Sequence, residues 1–392
     1  MAGATRLNQR SPETCAYLQS ADTIVVKVGS RVLSGSDGRL DTAQVANLSA
    51  QLVRLADSGK QVVLVSSGAV ASGVGKLGLA SRPNSLAELQ AVAAVGQAHL
   101  IQAYDHYLTS LGRTAGQVLL TAEDLDHRTR YLNVRNTLRA LLQMRVIPII
   151  NENDTVAIEE LQTTFGDNDR LAATVTGLFS RPALIILSDV AGVFDRDPAL
   201  PGASVLSTVE KIDQQILDLA VSKKSGIGKG GMSSKLTAAR MVTRSGAPAV
   251  IAGGRTERVL DRLLAGEELG TLFCPEPRRD APRKRWIGSA IVVGSIVVDQ
   301  GAEKALLRDG SSLLAIGIRS LQGSFDKGDI VSIRNQSEHE IARGLTNYSS
   351  IEVSKIRGLR SPQIEQVLGH CPYEAVVHRD NMTIVSSDTV TE

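Results

Sequence analysis

The chain has 392 residues, more than one compact core usually holds, so two or three domains are expected. Apolar residues make up 43%, charged residues 21%, and 43 basic against 41 acidic side chains give a formal charge of +2, which excludes a disordered or collagen-like chain. No apolar run reaches the roughly 18 residues of a membrane span, and residues 1–21 lack the apolar core of a signal peptide, so a cytoplasmic protein that crosses no membrane is expected.

Five short apolar runs follow one another: TIVVKVGS at 23–30, QVVLVSSG at 61–68, VIPIINEN at 146–153, ALIILSD at 183–189 and PAVIAGG at 248–254. They carry Val and Ile without alternating polar residues, as parallel strands covered on both faces do, and each ends at small or polar residues. Helical spacing separates them. Val45, Leu48, Leu52 and Leu55 share one face; Leu86, Leu89, Val92, Ala93, Leu100 and Ile101 predict a second helix, and Leu138, Leu141 and Leu142 a third. Alternating strand and helix predicts an α/β fold, a doubly wound and mainly parallel sheet with its ligands at the carboxyl ends of the strands.

PEPRRDAPRKRW at 275–286, with three prolines and five basic residues, reads as a linker. Beyond it SAIVVGSIVVD, SLLAIGI, DIVSIRN, EIARGLTNY and EAVVH read as strands joined by turns such as FDKGD. The expected organisation is an extension at 1–21, an α/β domain at 22–274, a linker at 275–289, a small mostly-β domain at 290–380 and a tail at 381–392. Cys15, Cys274 and Cys371 lie far apart without a CxxC, so neither a disulfide framework nor a thiolate metal site is encoded.

No GxxxxGK[ST] occurs, and the GxGxxG at Gly73, Gly75 and Gly78 starts too far beyond its strand for a dinucleotide turn; a flexible loop is the preferred reading there. Lys27 interrupts a buried strand, either snorkelling or held over a phosphate, with Gly29 and Ser30 beside it as backbone and hydroxyl donors. GIGKGGMSSK at 226–235 predicts a glycine loop opening a helix with serine capping, an N-terminus that attracts anions. Lys235 in its first turn opposes the helix dipole unless an anion sits beside it. NENDTV at 151–156 and FGDNDRL at 165–171 crowd Glu152, Asp154, Asp167 and Asp169 with Asn151, Asn153 and Asn168; Asp167 or Asn168 could cap the following helix, or the cluster could hold a zwitterion or orient the two lysines. Its spacing matches no metal cage, so any Mg²⁺ belongs on phosphate oxygens. SSGAVASG at 66–73 is either a tight turn or a further set of hydroxyl and backbone donors.

In their order, KVGS, SSGAVASG, NEND, GDND, LSDVAGV and GKGGMSSK, followed by a small β domain similar to a PUA module, resemble the amino acid kinase family over about residues 22–380. The resemblance implies phosphoryl transfer from ATP, with Mg²⁺, to the side-chain carboxylate of L-glutamate, the first step of proline synthesis. It implies catalytic roles for Lys27, Lys235 and Asp169, and glutamate contacts at Ser67, Asp154 and Asn168. The nucleotide would meet Lys27, Ser188 and Asp189, and the loop of Lys229, Gly230, Gly231, Met232, Ser233, Ser234 and Lys235. Lys229 stands where the family often has threonine. Proline as feedback inhibitor, coupling to a glutamyl phosphate reductase and a homo-oligomer are further implied partners, with no membrane. An RNA-binding or RNA-modifying protein is the rival reading, since PUA-like modules occur in such enzymes. Residues 286–392 speak against it, with 10 Lys and Arg against 13 Asp and Glu where a nucleic-acid face should be basic. A dehydrogenase would rest on the misplaced GxGxxG alone.

Overall fold

The computed structural model describes residues 12–121, 124–125, 128–156, 167–221, 231–276, 287 and 292–385. The chain divides into two units, Met1–Asp126 with Asn133–Arg278, and His127–Leu132 with Arg279–Glu392. Up to residue 273 it runs α1 (Pro12–Gln19), β1 (Thr23–Val28), α2 (Ser30–Leu33), α3 (Thr42–Asp57), β2 (Gln61–Ser66), α4 (Ala69–Lys76), α5 (Leu86–Ser110), β3 (Thr114–Leu120), α6 (Arg128–Gln143) and β4 (Val146–Glu152). Then follow α7 (Asp167–Thr176), β5 (Pro182–Ser188), β6 (Thr208–Val209), α8 (Gln214–Val221), α9 (Gly231–Arg244), β7 (Ala249–Gly253), α10 (Val259–Leu264) and β8 (Thr271–Phe273).

The strands form one sheet in the order β3-β4-β2-β1-β5-β7-β8-β6, parallel except where β8 runs against β7. All five predicted strands are present. β1 is central, paired in register with β2 and β5 and buried at every residue, which is why it needs no alternating polar residues. Its side chains alternate between the faces. Ile24, Val26 and Val28 join a core with Val45, Leu48 and Leu52 of α3 and Leu100, Tyr104 and Leu108 of α5. Lys27 therefore points to the opposite face, where α7 lies on β1 and β5 and α9 packs on α7.

Several local expectations are corrected. The edge strand β3 escaped prediction because its exposure alternates irregularly and only Leu120 is fully buried. Gly73 and Gly75 belong to α4 instead of a flexible loop. A Cβ on Gly73 would lie 2.0 Å from the Val92 carbonyl oxygen, and one on Gly96 would lie 1.8 Å from that of Ala69, so these glycines let α4 and α5 pack backbone to backbone. Neither Asn168 nor Ser233 or Ser234 is an N-cap: α7 begins at Asp167 and α9 at Gly231, placing all three inside first turns.

In the second unit, β9 (Gly294–Val298), α11 (Gln300–Leu307), β10 (Leu313–Leu314), β11 (Ile318–Gln322), β12 (Ile330–Arg334), β13 (Glu340–Thr346), α12 (Ser350–Ile356), α13 (Ser361–Leu368) and β14 (Ala375–Ile384) build a sheet ordered β10-β14-β13-β12-β9-β11. It is antiparallel apart from the β9–β12 pair. SLLAIGI is broken by a turn of 3₁₀ helix at Ala315–Gly317 where a single strand was expected, and the three helices were not anticipated. Leu306, Val353, Ile356 and Ile364 carry those helices into the core with Ile296, Val331 and Ile333. Among the described residues no helix is long and apolar enough to cross a membrane.

Candidate active site

The carboxyl ends of β1, β2, β4 and β5 open into a cavity of about 830 Å³. Its floor is an ion cluster. Lys27 Nζ lies 2.6 Å from Asp169 Oδ1, and Lys235 Nζ lies 3.7 Å from Asp169 Oδ2. The Ser234 hydroxyl donates to Asp169 Oδ2 at 2.7 Å, and Lys235 Nζ donates to the Gly231 carbonyl at 2.6 Å. β1 supplies Lys27, α7 supplies Asp169 and α9 supplies the Ser-Lys pair, so the packing of α7 and α9 on the Lys27 face of the sheet assembles the cluster. Lys27 is therefore paired inside the fold, which removes the snorkelling alternative: its side chain is 7% exposed.

Burial alone would push the Asp169 carboxyl up, but Lys27 and then Lys235, with hydrogen bonds from Lys27 and Ser234, outweigh it and hold the group below the ordinary carboxylate value. For Lys235 the balance falls the other way. Burial lowers its pKa first, Asp169 opposes that, and Lys27 lowers it further, so the ammonium sits below the ordinary lysine value. Among the described residues one carboxylate is thus in ion-pair contact with both cations, with Asp189 acting on Lys235 from farther off, an arrangement suited to an incoming anion.

At the mouth of β5, the Ser188 hydroxyl donates to Asp189 Oδ1 at 3.0 Å and Arg31 Nη1 donates to Asp189 Oδ2 at 3.0 Å. Both residues of the Ser188–Asp189 pair line the cavity, as do Gly231, Ser234 and Lys235. Met232 and Ser233 are in the first turn of α9 but are not lining residues. Lys229 and Gly230 lie outside the described residues. Gly29 lines the cavity, but its N–H donates to the Leu187 carbonyl at 3.1 Å, and the N–H of Ser67 to that of Val28, also at 3.1 Å. These two N–H groups are therefore used inside the fold, while Ser30 and Ser67 themselves line the cavity.

Asn151, Asp154 and Asn168 line another part of the wall and are all buried. Instead of capping α7, the Asn168 amide donates through Nδ2 to Asn151 Oδ1 at 3.1 Å, and Asn151 Nδ2 donates to Gln97 Oε1 at 2.8 Å. Tyr104, seven residues beyond Gln97 on α5, shares a 3.1 Å hydrogen bond with Ser66, whose hydroxyl also donates to the Ser67 carbonyl at 3.1 Å. Sequence reasoning missed Gln97, Tyr104 and Arg31. The signal for the first was available: Gln97 is four residues after Ala93 and three before Leu100, a polar residue on the apolar stripe of a helix. Among the described residues no group of three or more His, Cys, Asp or Glu could hold a metal ion.

The arrangement suits an anion with several charged oxygens over the lysines and a small zwitterion among the amides and Asp154. Comparison with known proteins identifies the family. The amino acid kinase family matches residues 22–253 and the PUA domain residues 294–368. A glutamate 5-kinase of Rhodopirellula baltica is 49% identical over 362 residues, 92% of this chain and 93% of its own length. Glutamate 5-kinases of Pseudomonas entomophila and Thioalkalivibrio sulfidiphilus are 47% and 45% identical, covering 92% and 95% of this chain and 97% and 100% of theirs. Among solved structures, a UMP kinase of Bacillus anthracis matches 66% of this chain and 97% of its own at 15% identity and a TM-score of 0.45. With the family matched over most of the first unit, the chain belongs to the amino acid kinase family and carries a C-terminal PUA domain.

Proposed function

We propose that the chain transfers the γ-phosphoryl group of ATP to the side-chain carboxylate of L-glutamate, giving L-glutamyl 5-phosphate and opening proline synthesis. The observation that carries this reading is the shared Asp169 carboxylate, which holds Lys27 and Lys235 together on the cavity floor. Two anions, a carboxylate and a γ-phosphate, must meet in line, and a like-charge pair at about 4 Å costs about 4 kcal/mol at an effective dielectric near 20. Lys27 and Lys235 offset that repulsion, and Lys235 bears on the charge that develops on the transferring group. The other residues divide the substrates: Ser188 and Asp189 take the nucleotide with the first turn of α9, while Ser67, Asp154 and Asn168 take glutamate. Asp154 pairs with the glutamate ammonium. Mg²⁺ enters as the metal–nucleotide substrate, carried on phosphate oxygens, because Asp169 is already committed to two lysines and a serine. No general base is needed, since a glutamate carboxylate is ionised at neutral pH. Proline inhibition, coupling to a glutamyl phosphate reductase and a homo-oligomer belong to the same proposal through the family resemblance alone.

The test is acyl-hydroxamate formation with ATP, Mg²⁺ and hydroxylamine, comparing L-glutamate, L-aspartate and N-acetylglutamate. Product from L-glutamate is expected. Product confined to one of the other two would reassign the acceptor.

A further inference from the structure

We infer that Gln97, which does not itself line the cavity, fixes the direction of the Asn168 side-chain amide through Asn151 and so positions the amino-acid acceptor. The inference rests on the glutamate reading above and adds a positioning residue to it. Gln97 Oε1 accepts from Asn151 Nδ2 at 2.8 Å, and Asn151 Oδ1 accepts from Asn168 Nδ2 at 3.1 Å. The three residues are 9%, 2% and 4% exposed, so solvent is a poor substitute for either link. A side-chain amide donates only through nitrogen and accepts only through oxygen, so three linked amides must all run the same way, here from Asn168 through Asn151 to Gln97, and no one of them can turn alone. Turning either asparagine over would set nitrogen against nitrogen or oxygen against oxygen in a buried place.

The anchor is well placed to be rigid. Gln97 follows Gly96, whose approach to Ala69 and Gly73 is the tightest point between α5 and α4, and α5 runs for 25 residues. Asn151 sits near the end of β4 and Asn168 in the first turn of α7, one residue before Asp169. The amide chain therefore ties the glutamate wall to α5, and Asn168 meets each incoming acceptor with the same face.

Two variants test this by a full two-substrate kinetic analysis. Gln97→Met keeps length and apolar bulk but removes the acceptor; Gln97→Glu keeps an oxygen acceptor. Gln97→Met is expected to raise the glutamate KM about tenfold while leaving the ATP KM unchanged, as loss of one buried acceptor predicts. Gln97→Glu is expected to restore the glutamate KM to within about threefold of wild type, because its oxygen still accepts from Asn151. A glutamate KM unchanged in Gln97→Met, both KM values raised alike, or a Glu variant no better than Met would overturn the inference. Should Gln97→Met fail to fold, Gln97→Leu takes its place, with a raised glutamate KM and unchanged ATP KM supporting the amide chain and an unchanged glutamate KM refuting it. Wild-type protein that forms no product from glutamate would overturn the functional reading instead.

Discussion

The two ends of the cavity are built on opposite principles. At the lysine end charge is concentrated: Lys27 and Lys235 share Asp169, and burial first, with Lys27 beside it, lowers the Lys235 pKa against the pull of Asp169. At the amide end polar groups answer one another, Asn168 donating to Asn151 and Asn151 to Gln97. A concentrated charge can stabilise charge that develops during reaction, whereas a run of directed hydrogen bonds holds geometry. The difference teaches that one end should govern turnover and the other acceptor binding.

The sharpest way to break that division is at its charged end. Lys235→Ala is expected to lower kcat by roughly 10² to 10³ with a smaller change in the glutamate KM. Steady-state kinetics in both substrates measures it, and an effect confined to KM would reduce this lysine to plain binding.

Asp154→Ala probes the other end. It should weaken glutamate binding by about 2 to 4 kcal/mol, since the substrate ammonium loses its partner in a buried pocket, while ATP binding holds. Calorimetric titration of each ligand separates the two. A matched loss of ATP affinity would erase the division.

Gly96→Ala acts on the amide end from behind. Its Cβ would fall 1.8 Å from the Ala69 carbonyl oxygen and 2.3 Å from Gly73 N, so α4 and α5 must separate. The expected loss of stability is about 1 to 3 kcal/mol, read by denaturant unfolding, with a raised glutamate KM because Gln97 moves with the helix.

The smallest effect is a shift along the pH axis. Because the folded Lys235 pKa lies below its unfolded value, its protonated form is disfavoured in the free enzyme. The alkaline fall of kcat/KM for ATP should therefore begin below the usual lysine value of about 10.4. Asp169 has the opposite linkage: its folded pKa is depressed, so its stabilising contribution is present above the unfolded aspartate value of about 3.9 and is lost as pH falls through the lower folded value. Acid unfolding curves of wild type and Asp169→Asn should converge only below that window. Asp169→Asn should also move the alkaline limb to lower pH, since Lys27 and Lys235 would then face each other without the carboxylate.

Much of this was legible in the sequence because parallel strands buried on both faces write themselves as unbroken Val and Ile runs, and β1, β2, β4, β5 and β7 all do. The burial of Lys27 within such a run pointed to a partner, and the partner is Asp169. Less could be read where long-range packing decides. β3 is an edge strand whose partner β4 supplies the regularity its own sequence lacks. Gly73 looks like a loop glycine until its contact with α5 is known, because spacing alone cannot tell a turn from a helix crossing. The first turns of α7 and α9 carry residues that resemble caps, but Asn168 and Ser234 turn to Asn151 and Asp169, partners brought near only by the tertiary fold. Gln97 is the same lesson in reverse, a polar residue on a buried stripe whose meaning lies in a strand more than fifty residues away.

On the proposed function, Lys235 acts on the transferring phosphoryl group more strongly than on bound ATP. Its most direct test compares the affinity of wild type and Lys235→Ala for ATP and, in the presence of glutamate, for ADP with aluminium fluoride, a mimic of the group in flight. Affinity for the mimic is expected to fall by about the factor lost from kcat/KM, roughly 10² or more, while ATP affinity falls far less. Equal losses for ATP and for the mimic would contradict it.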